Sequence, residues 1–174
     1  MMTVTEAMDS FFRKQTARWK ELMDCRPLYP WDASFDQALF RSEPDEDGYA
    51  EWLPAAGRIP AGMPPLCAEL AELFGARRFW QMNGSWQGYQ VSFPAIPTDE
   101  AAVRTAAAAL KDGEFHMGKG KAMLAAVSFQ GVDDLWLVYD QADGSLWLYD
   151  MDNGSSRRLG FGLAELIGNM EVLI

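Results

Sequence analysis

The hydrophobic and polar positions of the chain change period along its length, and each period predicts a type of element. Between positions 5 and 23, large apolar residues recur every three or four positions, which is typical of an amphipathic helix. These residues are Met8, Phe11, Phe12, Trp19, Leu22 and Met23. Thr5 is placed to cap the first turn. We expect the apolar stripe to pack on the domain core. A membrane-surface helix is the alternative, and the acidic flanks disfavour it.

Three further helices are predicted from composition and from signals at their ends. A short helix at 64–75 begins with two prolines and ends at a glycine. The alanine-rich stretch 97–113 has Thr98 as its candidate cap and Gly113 as its expected end. The last helix starts near Leu163.

The second half of the chain contains successive strand patterns. RRFWQMN (77–83) and WQGYQVSF (86–93) predict two strands joined by a hairpin turn at NGS. AMLAAVSF, LWLVYD, SLWLYD and SRRLG predict further strands joined by tight turns, the first of them at 130–134. In LWLVYD and SLWLYD both alternating sets of positions are apolar, so we expect both faces of these strands to be covered. Asp140 and Asp150, which close them, are expected to be turn residues.

These elements predict an α+β fold with a single domain over residues 1–174. A mainly antiparallel sheet of about five or six strands is expected to pack with the N-terminal, the middle alanine-rich and the C-terminal helix. The region 24–64 is expected to be irregular, because prolines interrupt it repeatedly. With 49% hydrophobic residues, the chain has enough apolar surface for a core without a metal or disulfide.

The charge of the chain narrows the class of partner. A net charge of −10 disfavours nucleic acid and anionic lipid, and favours a basic partner. The alternative is that the charge only maintains solubility. Acidic residues concentrate in 24–51 and in 133–152, and each segment carries a net charge of −6. If the fold brings the two segments together, one acidic face would attract a basic partner in a salt-sensitive way.

Candidate partner-binding residues come from these two segments. They are Asp45, Glu46, Asp47, Glu51, Trp52, Asp133 and Asp134. Trp52 is included because exposed charge pairs contribute only about 0–1 kcal/mol each, so that aromatic anchors must supply affinity. Trp31, Tyr49 and Trp86 are further aromatic candidates. The alternative is that the two segments point apart and the tryptophans belong to the core.

Catalytic and metal chemistry find little support in the residue pattern. His116 is the one histidine, so neither a catalytic triad nor a Cys–His dyad can be assembled. Cys25 and Cys67 lack metal-binding spacing, which favours reduced thiols over a single disulfide, the alternative. The aspartates of 133–152 could act as paired carboxylates only if two of them faced one cleft. We expect a noncatalytic protein without metal or other cofactor.

Four segments stand in a characteristic order along the chain: SFFRKQTARW (10–19), EWLP (51–54), LFGARRFWQMNGSWQGYQVSF (73–93) and GLAELIGNM (162–170). They are similar, in that order, to an N-terminal helix, a W-x-P segment, a helix-to-strand passage and a C-terminal helix. This order resembles that of the SecY-interacting protein Syd family. The segment LYPWDASFDQALFR (28–41) departs from the short Pro-Ser-Pro-like segment usual in the family.

The resemblance implies a fold of the wider SUKH superfamily and a noncatalytic protein that binds cytosolic loops of the translocon subunit SecY. It would sequester or monitor uncomplexed SecY as a monomer or weak dimer. The protein would be cytoplasmic and would associate peripherally with the cytoplasmic side of the bacterial inner membrane. No apolar run approaches the roughly 20 residues that span a bilayer, and the start MMTVTEAMDS lacks a secretory pattern.

Two other functions stay open at the level of sequence. The same superfamily contains immunity proteins, and an acidic face could neutralise a basic toxin. An enzyme that uses the aspartate cluster is the third possibility, although no substrate is suggested by the residues. For SecY the charge argument is favourable, because cytoplasmic loops of membrane proteins are enriched in Lys and Arg.

Overall fold

The chain forms four helices and eleven strands, and the computed structural model describes all residues from 1 to 174. The helices are α1 (Val4–Met23), α2 (Ala68–Gly75), α3 (Asp99–Met117) and α4 (Leu163–Asn169). The strands are β1 (Leu28–Pro30), β2 (Tyr49–Glu51), β3 (Ala55–Ala56), β4 (Arg77–Arg78), β5 (Met82–Trp86), β6 (Tyr89–Phe93), β7 (Lys121–Phe129), β8 (Val132–Asp140), β9 (Leu146–Asp150), β10 (Ser156–Arg158) and β11 (Glu171–Val172).

A seven-stranded antiparallel sheet organises the fold, in the order β10-β9-β8-β7-β6-β5-β11. Strands that follow one another in sequence lie side by side, and β11 returns to pair with β5 at the far edge. β1 pairs with β2, and β3 with β4, in two small separate sheets. The predicted α+β class with a mainly antiparallel sheet is confirmed. The sheet has one strand more than expected, because β11 has only two residues and leaves no periodic pattern.

Helix α1 packs its apolar stripe on the core, as the three- and four-residue spacing predicts. Met8, Phe11 and Phe12 are buried. The cap is Thr3 and not Thr5: the Thr3 hydroxyl accepts from the Glu6 N–H, and the Glu6 carboxylate accepts from the Thr3 N–H. This reciprocal pair satisfies two donors that the first helical turn leaves open.

The hairpin β5–β6 corrects the predicted turn. NGS lies inside β5, and the turn falls at Gln87–Gly88, where both residues have positive φ (51° and 85°). A two-residue turn of this kind matches the twist of the flanking strands. Gly84 has a different role, since a Cβ added there would lie 2.7 Å from the Cβ of Met170. The glycine therefore allows a close approach of the chain beside α4 and does not mark a turn.

Helices α2 and α3 also differ from their predicted ends. α2 begins at Ala68, so the prolines at 64–65 precede the helix and do not occupy its first turn. α3 starts after the predicted cap Thr98 but continues through Gly113 to Met117. A Cβ at Gly113 would lie 2.3 Å from the carbonyl oxygen of Lys121. This glycine is required by contact with β7 and does not end the helix.

The two faces of the sheet are covered differently. All four helices pack on one face of the sheet, and together with it they form a core cluster of 34 buried residues. On the other face, Met123, Val138 and Tyr149 form a small cluster with half-buried Met117 from the end of α3. The prediction that both faces of β8 and β9 are covered holds for the core face and for the part of the second face near Met117. It does not hold at Trp136, which is only half-buried. Toward β5 and β6 this second face is open.

The aspartates that end β8 and β9 are turn residues, as predicted. The Asp140 carboxylate accepts a hydrogen bond from the Ala142 N–H, and Asp150 accepts one from the Asp152 N–H, both at 2.9 Å. Such bonds close a turn two residues ahead of the aspartate. No helix in the structure combines the length and the apolar character needed to cross a membrane.

Candidate functional site

The open part of the second sheet face is the floor of a cleft of about 850 Å³. A row of paired residues crosses four strands there: Asn83 pairs with Ser92, Ser92 with Ala126, and Ala126 with Trp136. Side chains at paired positions share one face of a sheet. The row on the floor therefore consists of small, uncharged residues, two polar and one apolar, and ends at an indole.

The walls of the cleft come from segments outside the sheet. The C-terminal end of α1 contributes Trp19 and Met23, the β1–β2 pair contributes Leu28 and Tyr49, and residues 173–174 close another side. Tyr49 and Met23 are 40% and 55% exposed, which is high for large apolar side chains. Contiguous exposed apolar surface in a folded protein commonly marks an interaction site.

Four aspartates line the same cleft, and no lysine or arginine does. Asp45 and Asp47 belong to the segment before β2, and Asp133 and Asp134 belong to the start of β8. None of the four carboxylates forms an ion pair within the chain. The fold thus brings residues from both acid-rich segments to one concave surface.

A tight turn before β2 positions the first pair. The Asp45 carboxylate accepts hydrogen bonds from the N–H groups of Asp47 and Tyr49, each at 2.9 Å. Gly48, with φ of 83°, donates its N–H to the Asp45 carbonyl at 3.1 Å. The positive φ explains the glycine after the acidic run. The Asp47 side chain accepts no hydrogen bond from the chain and is exposed.

A β-bulge positions the second pair. Val127 pairs with Leu135 and Phe129 with Val132, so Asp133 and Asp134 together lie opposite the one residue between them. Asp134 has a φ of 59°, in the left-handed region. A bulge bends its strand and re-aims side chains. The turn expected at 130–134 is shorter than predicted: it is Gln130–Gly131, and the two aspartates already belong to β8.

Trp52 was predicted to bind a partner, and this is wrong because the side chain is 0% exposed. Ala50 and Trp52 point to the same side of an extended segment, and that side faces the core. Glu51 points the other way and is half-buried, and Glu46 is exposed on the turn. Neither glutamate lines the cleft.

The other aromatic candidates fall in different places. Tyr49 lines the cleft. Trp31 donates its indole N–H to Gln37 at 2.7 Å, and Trp86 packs edge-on against Phe161. Sequence reasoning missed Trp19 and Trp136, which line the cleft. Their spacing is that of core residues, so no local signal separates them from buried neighbours.

The other four aspartates of 133–152 do not line the cleft, and two of them, Asp140 and Asp143, form ion pairs within the chain. Asp140 lies 3.0 Å from the Lys121 ammonium. The Ser145 hydroxyl and N–H donate to Asp143, and this holds the pKa of the Asp143 carboxyl below its usual value, with Arg158 adding to the effect. The free charge of this segment at the cleft is therefore that of Asp133 and Asp134.

Groups suited to catalysis lie apart from the cleft. His116 contacts the Tyr149 hydroxyl at 3.4 Å through Nδ1. Tyr139 donates its hydroxyl to Glu69 at 2.7 Å, and burial together with this bond raises the pKa of the phenol. No group of three or more His, Cys, Asp or Glu side chains is arranged to hold a metal ion. Cys25 and Cys67 are both free thiols.

Comparison with known proteins adds no relative to this description. No family model matches the chain, and no curated protein sequence matches it significantly.

Proposed function

We propose that the cleft binds a lysine- and arginine-rich segment of another protein, and that this segment is a cytosolic loop of SecY. The observation that carries the proposal is the meeting of Asp45, Asp47, Asp133 and Asp134 on one cleft without any basic residue. Because no cation of the chain neutralises these carboxylates, cations of a partner are their natural complement.

The chemistry of the lining favours protein over other partners. Carboxylates repel the phosphates of nucleic acid and of anionic lipid. Exposed tyrosine, tryptophan and methionine beside charged groups are typical of the surfaces at which proteins meet. The proposed activity is binding, without a catalytic step.

The choice of SecY rests on the resemblance to the Syd family. Loops on the cytoplasmic side of membrane proteins are rich in Lys and Arg, and such loops fit a cleft lined by aspartates. In this proposal the protein reaches the inner face of the inner membrane by holding SecY and needs no contact with the bilayer. It sequesters or monitors SecY that lacks its usual partners.

The test is a titration of SecY loop peptides at increasing salt concentration. We expect binding to be strongest at low salt and to weaken as salt screens the charges. The double variant Asp133→Asn/Asp134→Asn should lower affinity about fivefold, because exposed charge pairs contribute about 0–1 kcal/mol each. Asparagine tolerates the positive φ at position 134, so the variant should keep the bulge.

A matched control removes two charges elsewhere. Asp112 and Glu114 are exposed on α3 and do not line the cleft, so Asp112→Asn/Glu114→Gln should leave the affinity unchanged. Equal losses in the two double variants, or affinity that does not respond to salt, would contradict the proposal. If a basic toxin binds tightly and the SecY loops do not, the cleft remains the proposed binding site but SecY is the wrong partner.

A further inference from the structure

The cleft has an apolar component that electrostatic attraction leaves unexplained. About half of the lining residues are hydrophobic, and they include Trp19 and Met23 on the wall and Trp136 on the floor. Aspartates alone would attract any basic segment. An apolar pocket beside them can select among basic segments, because large side chains gain far more from burial than small ones.

The floor also offers free hydrogen-bond donors. The Ser92 hydroxyl donates to Oδ1 of Asn83, and the Ser128 hydroxyl donates to Oε1 of Gln90. These bonds fix the two amides with their oxygens occupied and their NH₂ groups without a partner in the chain. Amide NH₂ groups on a sheet surface are suited to bind the carbonyl groups of an extended peptide.

We propose that the cleft holds a short, extended peptide in which one large apolar residue is flanked by lysine or arginine. The apolar side chain enters the cleft against Trp19 and Met23, the flanking cations approach the aspartates, and the amides of Asn83 and Gln90 bind peptide carbonyls. This inference rests on the proposed function and specifies its ligand. The volume of about 850 Å³ lies within the roughly 300–1,000 Å³ of small-ligand sites, which suits a short segment.

The inference is tested with three synthetic peptides of equal length. The first carries basic residues around a central leucine, the second replaces the leucine with serine, and the third keeps the leucine and replaces the basic residues with glutamine. Fluorescence anisotropy measures the affinity of each peptide at several salt concentrations. We expect the serine peptide to bind at least tenfold more weakly than the leucine peptide with a similar salt dependence, and the glutamine peptide to lose the salt dependence.

The outcomes separate this inference from the proposed function. Equal, salt-sensitive binding of the leucine and serine peptides would overturn the apolar anchor and leave the basic-segment proposal standing. Absence of binding by both basic peptides at low salt would overturn both proposals.

Substitutions in the protein provide an independent arm with a neighbouring control. Met23 lines the cleft, whereas Leu22, with a similar exposure of 51%, does not. Met23→Ser should lower the affinity for the leucine peptide severalfold and leave the affinity for the serine peptide unchanged. Leu22→Ser should change neither affinity. Both positions are exposed at the end of α1, so folding should persist, and thermal unfolding checks this. Identical responses of the two variants would contradict the placement of the anchor.

Discussion

The two faces of the sheet start from similar strand patterns and end with different roles. Leu135, Leu137 and Tyr139 point from β8 into the core under the helices. On the opposite face of the same strand, Val138 is covered by the end of α3, while Trp136 opens on the cleft. The difference lies in what the rest of the chain places over each face. One face supplies most of the stability, and the other keeps polar and charged groups accessible.

The largest expected effect separates two aromatic residues near the same strand. Trp52→Ala should lower the free energy of unfolding by about 3–5 kcal/mol, because it empties a fully buried site. Tyr49→Ala, at a position 40% exposed on the cleft, should change it by no more than about 0.5 kcal/mol. Urea denaturation measures both values. Similar losses of stability for the two variants would contradict the assignment of Trp52 to the core and of Tyr49 to the cleft.

The contact between α3 and β7 connects the two faces. Gly113 lies where the helix passes the first residue of β7 before Met117 reaches the small cluster on the second face. Gly113→Ala should cost about 1–3 kcal/mol, since its methyl group meets the Lys121 carbonyl. At the exposed position 108 of the same helix, Ala108→Gly should cost about 1 kcal/mol from helix propensity alone. Chemical denaturation that finds Gly113→Ala stabilising would contradict the close contact.

Unlike the aspartates that line the cleft, Asp99 forms an ion pair within the chain. Asp99 binds the guanidinium of Arg78, which is 5% exposed, and this interaction holds the pKa of the Asp99 carboxyl below its usual value. A lowered pKa in the folded state stabilises the protein above the unfolded-state pKa of about 3.9. That contribution is lost as the pH falls through the folded-state value.

The pH dependence of stability therefore tests the Arg78–Asp99 pair. Asp99→Asn should lower the urea midpoint near neutral pH and reduce the further loss of stability below about pH 4. The exposed control Asp112→Asn should keep the acid dependence of the unsubstituted chain. An Asp99→Asn variant with the same acid dependence as the unsubstituted chain would show that the pair does not contribute.

The smallest expected effect concerns the stability of the cleft itself. Asp133→Asn/Asp134→Asn should leave the free energy of unfolding within about 0.5 kcal/mol, or raise it slightly, because two neighbouring negative charges lose their repulsion. Asp112→Asn/Glu114→Gln serves as the charge-matched comparison. A loss above about 2 kcal/mol would mean that the aspartates support the fold and are not free for a partner.

The regular elements were predictable because their periods are long and clear. The stripe of α1, the alanine-rich α3 and the four strands from β7 to β10 follow directly from sequence spacing. Glycines were less informative. Gly84 and Gly113 look like turn and stop signals, yet both serve close approaches between segments distant in sequence. Such contacts depend on the tertiary arrangement, which local patterns do not encode.

The candidate site was predictable in its charges and less so in its aromatic residues. Asp45, Asp47, Asp133 and Asp134 line the cleft, as the acid-rich segments indicated. Strand alternation placed Trp52 opposite Glu51, but nothing in the sequence tells which side faces the core. Trp136 has the pattern of a buried residue. It is accessible because the end of α3 covers only the neighbouring part of the sheet and leaves Trp136 at the cleft.

The most direct test of the central claim is an NMR titration of the labelled protein with the basic leucine peptide at low salt. The account predicts that chemical-shift changes concentrate on the amides of Ser92, Ala126 and Asp134 and on the indole groups of Trp19 and Trp136. The helices on the core face should stay unchanged. Shift changes confined to α2 or to the β10 edge, with the cleft signals unmoved, would contradict it.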